Sequence, residues 1–336
     1  MSANGASALT TAWRLGIAWA KVRLLGRQVP LLMSWNLTFR CNLRCHYCDS
    51  PNLEVPELDT GQVLAAIDDF YNLGTRYITF SGGEPLLRKD LAQIVNYAKD
   101  KGIVVFISTN GWLLPKRLPD LRRVDRFTIS LDGGKDVHDT IRGSRAFDKA
   151  VAGIEAAQAE GIPVALTCVL ATHNTGDLAN IDELLELAKT YGAHVMFQPA
   201  TKWLDSSTRP NPVAPDTHAY HQAIDYLIQR KKAGAPITNS VAGLRVLRHW
   251  PDPTPVYSTA GKVTCSLESD GKILASHLTQ TALLEQPVNG ASPAENYRNM
   301  PMPDRTDQPW CGPILELDLL FSLRPSAILN AIRVQV

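Results

Sequence analysis

Met33-Ser34-Trp35-Asn36-Leu37-Thr38-Phe39 runs through Arg40 into Cys41-Asn42-Leu43-Arg44-Cys45-His46-Tyr47-Cys48. The first stretch reads as a β-rich strand, and the second sets three cysteines at CxxxCxxC spacing in the loop at that strand's carboxyl end. Outward from this point the pattern repeats. Further strand-like runs are Tyr77–Ser81, Val104–Thr109, Arg126–Asp132, Val164–Ala171 and His194–Ala200. They alternate with helix-like stretches at Thr60–Leu73, Lys89–Lys101, Pro115–Leu121, Phe147–Glu160, Asp177–Tyr191 and Asp216–Lys232. Strands alternating with helices imply βαβ units, a parallel sheet and ligand sites at the strands' carboxyl ends. Six such units predict an α/β partial (β/α)6 barrel rather than a closed eightfold one.

The chain has 336 residues, 45% hydrophobic and 20% charged, with Gly and Pro at 22 each, an ordinary globular composition. Lys and Arg number 34 against 33 Asp and Glu, so no global field draws it to nucleic acid. Three regions are expected: an N-terminal helix over 1–30, the barrel over 31–233, and a Pro- and Gly-punctuated C-terminal extension over 234–336. In the first, Trp13, Ile17, Ala20 and Leu24 recur at helical spacing, and Arg14, Lys21, Arg23, Arg27, Arg40 and Arg44 precede the first acidic residue, Asp49. This basic amphipathic helix suits peripheral contact with an anionic membrane, or closure of one end of the barrel. The longest early apolar run, Leu15–Ala20, is too short for a signal peptide or a membrane span. Clustered thiols without an export signal then place the chain in the cytoplasm, with membrane association through the helix as an option.

Six cysteines are too few for a disulfide scaffold, and three fall within eight positions. A tight loop converges them on one inorganic centre. A structural zinc is completed by four protein ligands, whereas three thiolates on a four-iron cluster leave one iron open to an external ligand. His46 is the available fourth donor for zinc, although its position beside Cys45 demands a sharp backbone fold.

With Tyr47 before the last cysteine, the motif resembles the signature of the radical S-adenosylmethionine (SAM) enzymes. In order there follow Ser81-Gly82-Gly83-Glu84-Pro85, Ser108-Thr109-Asn110-Gly111 and Ser130-Leu131-Asp132-Gly133, each after a predicted strand. The resemblance covers about residues 33–200. It implies one [4Fe–4S] cluster on Cys41, Cys45 and Cys48, with SAM's amino and carboxylate groups on the open iron. It implies that the turn Gly82, Gly83, Glu84 and Pro85 receives the methionyl ammonium and that Tyr47 lies by the adenine. Ser108, Asn110, Ser130 and Asp132 then hold ribose hydroxyls or the methionyl carboxylate. Arg142, in His138-Asp139-Thr140-Ile141-Arg142-Gly143, matches a position near that carboxylate, and could equally be a surface ion-pair partner. A flavodoxin- or ferredoxin-type electron donor is implied too.

The C-terminal stretch Thr264-Cys265-Ser266-Leu267-Glu268-Ser269-Asp270-Gly271-Lys272-Ile273 resembles the hairpin that opens SPASM/Twitch extensions. The cysteine usual after it is absent, and Cys265 with Cys311, even helped by His277, falls short of the four ligands of a second cubane. A degenerate extension without a cluster is expected. Cys168, in an apolar strand, reads as core; His173 and His194 flank strands near substrate or serve structure. The N-terminal helix, Trp203 and the tail around Leu319, Leu320 and Phe321 point to a hydrophobic small-molecule substrate, such as a lipid, isoprenoid or tetrapyrrole. A peptide is the rival, because SPASM-like extensions occur in peptide maturases, and a non-enzymatic iron–sulfur sensor is a third reading.

Overall fold

A computed structural model describes residues 8–204, 209–252, 255–275, 292–300, 302, 304–306 and 310–334. The strands are β1 (Leu32–Thr38), β2 (Tyr77–Gly82), β3 (Val104–Thr109), β4 (Arg126–Ser130), β5 (Val164–Leu170), β6 (Val195–Pro199), β7 (Val256–Tyr257), β8 (Thr264–Leu267), β9 (Ile273–Leu274) and β10 (Arg305–Thr306). The helices are α1 (Ala8–Leu25), α2 (Thr60–Leu73), α3 (Leu91–Asp100), α4 (Leu114–Arg117), α5 (Lys135–Arg142), α6 (Ala146–Ala159), α7 (Thr172–Thr175), α8 (Ala179–Thr190), α9 (Thr217–Lys232), α10 (Val241–Leu247), α11 (Pro293–Arg298), α12 (Gly312–Phe321) and α13 (Pro325–Val334).

All six expected strands form, within a residue or two of their expected bounds at either end, and pair in parallel in chain order. Local chemistry starts and stops the helices between them. Asp59 and Gln62 make a capping box at α2, which ends on Gly74 in the left-handed region at φ 119°. Along the strands, alternate residues point to opposite faces. One face sends Trp35, Leu37, Ile78, Phe80, Ile107, Phe127 and Ile129 under the helices, all fully buried. The other is half-buried and mostly polar, with Ser34, Asn36, Thr79, Ser81, Ser108, Thr128, Ser130 and Thr167. The concave interior is thus lined with hydroxyls.

The sheet continues past the expected six strands. β8 pairs in parallel with the free edge of β1, Leu32 opposite Thr264 through Trp35 opposite Leu267, and β9 returns as a hairpin. The extension that the sequence sets apart therefore shares the barrel's sheet. Tyr297, Trp310, Leu315 and Ala327 also join its main core. A local reading separates this region because its strands are short and its punctuation dense, while their partner lies near the other end of the chain. Leu319 and Phe321 are 4% and 1% exposed, so they are packing residues and offer no substrate surface.

α1 carries two apolar stripes. Leu15, Ala18, Trp19 and Val22 pack with Leu31, Tyr77, Val104, Phe106 and Phe321, closing the barrel at the amino ends of its strands. Trp19 also donates from Nε1 to the Phe321 carbonyl at 3.2 Å. The stripe singled out from sequence lies elsewhere: Trp13 and Leu24 are 70% and 69% exposed, and Leu9, Ile17 and Leu25 are exposed with them. Closure is made by one face and the other is left open.

Two outcomes follow. Ala18→Asp puts an unpaired carboxylate at a buried contact, and is expected to loosen α1 and speed tryptic cleavage at Lys21 and Arg23. Ile17→Asp on the open face leaves that protection unchanged. Asp318 on α12 is buried, its Oδ1 accepting from the Thr259 amide and hydroxyl at 2.7 and 2.6 Å and its Oδ2 without a partner. Burial pushes its carboxyl up to about 7. A raised carboxyl takes up a proton on folding, so its stability contribution is lost as pH rises from the usual carboxylate range towards 7. Asp318→Asn is expected to raise the urea midpoint at pH 8 more than at pH 5.5.

Candidate SAM and cluster site

The site begins where β1 ends. The Gly83 amide donates to the Thr38 carbonyl at 2.7 Å and the Glu84 amide to the Arg40 carbonyl at 2.8 Å, binding the turn after β2 to the two residues that lead into Cys41. Gly82 sits at φ 117°, where a Cβ would stand 2.2 Å from the Thr38 carbonyl oxygen. At Gly83 a Cβ would meet the Arg40 and Phe39 carbonyl oxygens at 2.3 and 2.5 Å. Both glycines are demanded by this backbone seam.

Glu84 is fully buried beneath the seam. Its carboxylate accepts from the Leu86 amide at 3.0 Å, the Thr109 hydroxyl at 2.8 Å and the Asn110 amide at 2.8 Å, so it clamps the ends of β2 and β3 together. Burial pushes the carboxyl up to about 7 against those three donors. Pro85 follows as the first residue of a short 3₁₀ turn, also buried.

Around the cysteine loop each sulfur contact is with a donor. The Leu43 amide lies 3.4 Å from Cys41 Sγ, Asn110 Nδ2 3.9 Å from the same sulfur, and Arg142 Nη1 3.9 Å from Cys45 Sγ. Burial pushes the Cys45 thiol up to about 11 and raises that of Cys41 as well. Thiols so placed ionise when a metal supplies positive charge. Among the described residues no three His, Cys, Asp or Glu side chains converge on a single ion. A cubane asks for something different, one thiolate on each of three irons. Donors at the sulfurs, three free thiols in one loop and an inward carboxylate fit a [4Fe–4S] cluster held by Cys41, Cys45 and Cys48.

Tyr47, Asp132 and Arg142 meet in one buried group. Arg142 Nε donates to Asp132 Oδ2 at 2.5 Å, Tyr47 donates to the same oxygen at 2.9 Å, and Arg142 Nη2 also reaches the Tyr47 hydroxyl. Asp132 Oδ1 accepts from the Val169 amide at 2.9 Å. Burial alone would raise this carboxyl, yet Arg142 beside it holds it below the usual range. Arg142 is not a surface residue: it is 7% exposed, and Asp132 keeps its charge in place against burial. Both Asp132 oxygens are thus occupied by protein donors. Ser108 and Ser130 lie half-buried on the concave face. Asn110 turns to Asn42, donating to its Oδ1 at 2.9 Å.

Sequence reading missed Asn174. Its side chain donates to the carbonyls of Asp132 and Val169, both at 2.9 Å, and accepts from the Ala171 amide at 2.8 Å, locking the ends of β4 and β5. An Asn three residues after a strand was the available signal. His173 lies near His46, the rings tilted at 50° with centroids 5.8 Å apart, at the loop end of the barrel, whereas His194 is exposed before β6. Cys168 and Cys265 are core residues and Cys311 is buried at the start of α12; His277 lies outside the described residues.

The family model described as the Radical SAM superfamily matches residues 35–190. The mycofactocin maturase MftC of Mycobacterium ulcerans is 31% identical over 269 residues, 74% of this chain and 69% of that protein. The chain belongs to the radical SAM superfamily, whose members use a [4Fe–4S] cluster and SAM. The Fe-coproporphyrin III synthase of Methanosarcina barkeri is 40% identical over 162 residues, 46% of this chain and 41% of that protein. An AdoMet-dependent heme synthase of the same organism is 36% identical over 194 residues, 54% of this chain and 55% of that one. The chain spans about half the length of those two relatives. In fold it is similar to Streptococcus suis SuiB bound to S-adenosylmethionine, with a TM-score of 0.64 at 15% identity over 94% of this chain and 70% of that one. The partial barrel with its C-terminal extension is shared.

Gly83→Ala is expected to displace the entry to the cysteine loop, so that iron per chain falls by more than half together with SAM binding. Weaker SAM binding at full iron content would point to ligand approach as the reason for glycine.

Proposed function

We propose that this enzyme takes hydrogen from an unactivated carbon of a small, largely hydrophobic biosynthetic molecule of the lipid, isoprenoid or tetrapyrrole kind. When bound, the cluster and SAM supply a 5′-deoxyadenosyl radical by one-electron cleavage of the sulfonium. The protein's part is placement and exclusion. Cys41, Cys45 and Cys48 hold the metal, the carbonyls of the Gly82–Gly83 turn receive an ammonium, and the Ser108 and Ser130 hydroxyls face the concave space where ribose or substrate lies. Tyr47, Asp132 and Arg142 form the wall behind them, already paired and therefore rigid.

The observation that carries the substrate reading is the open stripe of α1, Leu9, Trp13, Ile17 and Leu24, beside exposed Lys21, Arg23 and Arg27. Apolar and cationic groups together suit the interface of an anionic membrane, where water-insoluble molecules reside. No helix among the described residues is long and apolar enough to cross a membrane, so the contact is peripheral. Two relatives named for coproporphyrin and heme agree with a small molecule. The relative named a maturase matches 74% of this chain and favours a peptide as the second reading. A cytoplasmic place and a flavodoxin- or ferredoxin-type donor complete the proposal.

Anaerobically reconstituted protein, once reduced, is expected to convert SAM to 5′-deoxyadenosine, and the variant with Cys41, Cys45 and Cys48 all replaced by Ala to lose both iron and turnover. Cys265→Ala/Cys311→Ala should keep the wild-type iron content. Metabolite comparison of a deletion strain then separates the substrates: a missing apolar small molecule supports the proposal, and an unmodified precursor peptide overturns it.

A further inference from the structure

The concave face holds a cation that nothing in the SAM site uses. Arg126 is the first residue of β4, on the same face as Thr128 and Ser130. Register places it beside Phe106, which in turn stands beside Thr79, and Thr79 beside Ser34. These four form a layer of the barrel interior just above Leu32, Tyr77 and Val104, which pack on the plug of α1 and Phe321. The guanidinium carbon lies 4.3 Å from the centroid of the Phe106 ring. Its Nε is buried without a hydrogen-bond partner, and among the described residues no carboxylate pairs with it. Burial alone acts on its pKa, downwards, with no neighbouring charge to oppose it.

Arginine does not shed its proton inside a protein, so a half-buried guanidinium whose Nε has no partner and no counter-ion is a standing electrostatic cost. The fold could have removed that cost with a carboxylate on any adjoining strand. Instead it is flanked on the concave face by Phe106, Thr128 and Ala165, and the Glu268 carboxylate farther round that lining is engaged by Asn36 Nδ2 at 3.1 Å. Phe106 lies against the guanidinium, and the unpartnered Nε leaves an N–H for a planar or tetrahedral anion. From Arg126 to Ser130, at the SAM end of the strand, are four residue steps, roughly 13 Å of strand. A molecule of modest size spans it.

We propose that Arg126 is a substrate-binding residue, receiving a carboxylate or phosphate group of the substrate at the closed end of the barrel and so setting which carbon stands at the SAM end. This rests on the small-molecule reading above and narrows it to amphiphilic molecules with an anionic group. Charge on the ligand then completes an ion pair that the free protein lacks, a large differential interaction in a low-dielectric space.

The test uses cluster-loaded, SAM-saturated protein and two probes, sodium acetate and sodium phosphate, each compared with sodium chloride at matched ionic strength. Wild type is expected to gain several degrees in thermal midpoint from at least one probe, because a ligand bound only by the native state stabilises it. Arg126→Met keeps the apolar stem over Phe106 and is expected to lose most of that gain, while Arg126→Lys keeps part of it. In chloride alone Arg126→Met should melt no lower than wild type, since it removes a half-buried charge whose Nε has no partner. An anion gain undiminished in Arg126→Met, no gain in wild type, or a much lower chloride midpoint for Arg126→Met would overturn the proposal. Production of 5′-deoxyadenosine by the same wild-type preparation checks the underlying reading separately; its failure alongside an Arg126-dependent shift would leave the anion site standing and the radical chemistry refuted.

Discussion

Everything at the site hangs on two main chains lying closer than side chains allow. Where the turn after β2 meets the end of β1, Gly83 and Glu84 donate to the carbonyls of Thr38 and Arg40, and any Cβ on either glycine would collide with main-chain oxygen. The seam fixes the direction in which the chain departs towards Cys41. It also brings Glu84 to a place from which its buried carboxylate reaches Thr109 and Asn110 on the next strand. Asn110 in turn has its amide nitrogen towards Cys41 and Asn42. Three strand ends and the cysteine loop thus share one short chain of hydrogen bonds, and preorganisation of this kind is what a reactive centre needs.

Charge is arranged with similar economy. The Cys41 and Cys45 sulfurs face donors, the Asp132 carboxylate is matched by Arg142, and Tyr47 closes the group. A buried pair of this sort contributes rigidity more surely than stability. The lower half of the barrel is the opposite case, with hydroxyls and the uncompensated Arg126. A satisfied upper wall and a less satisfied lower floor divide the concave space into two chemically different halves.

Much of this was legible beforehand. Strand positions and the loops after them come from local signals, and Cys41–Cys48 with Gly82, Gly83 and Glu84 marks the site within a few residues of sequence. What sequence could not yield was direction. Glu84 and Asp132 stand in the motifs as ligand groups, yet both carboxylates are spent on the protein's own donors, a matter of side-chain orientation. In α1 a helical wheel shows an apolar stripe at Trp13 and Ile17, but the stripe that packs runs through Ala18 and Val22; both are apolar, and only the barrel chooses between them. The short strand at Thr264 looks like part of an appendage because its partner, β1, is distant in the chain.

That last pairing bears on how the molecule is made. β1 lies between β2 and β8, so its second edge is covered by residues synthesised long after it. Until then the emerging barrel presents an open strand edge, the kind of surface on which chains associate wrongly. Long-range parallel pairing is also slow to form, since loop closure must precede its reward. The C-terminal hairpin therefore acts as the clasp of the fold. Truncation before Thr264 would leave a metal loop attached to an uncovered strand, and a nascent chain stalled there is the natural client of a chaperone.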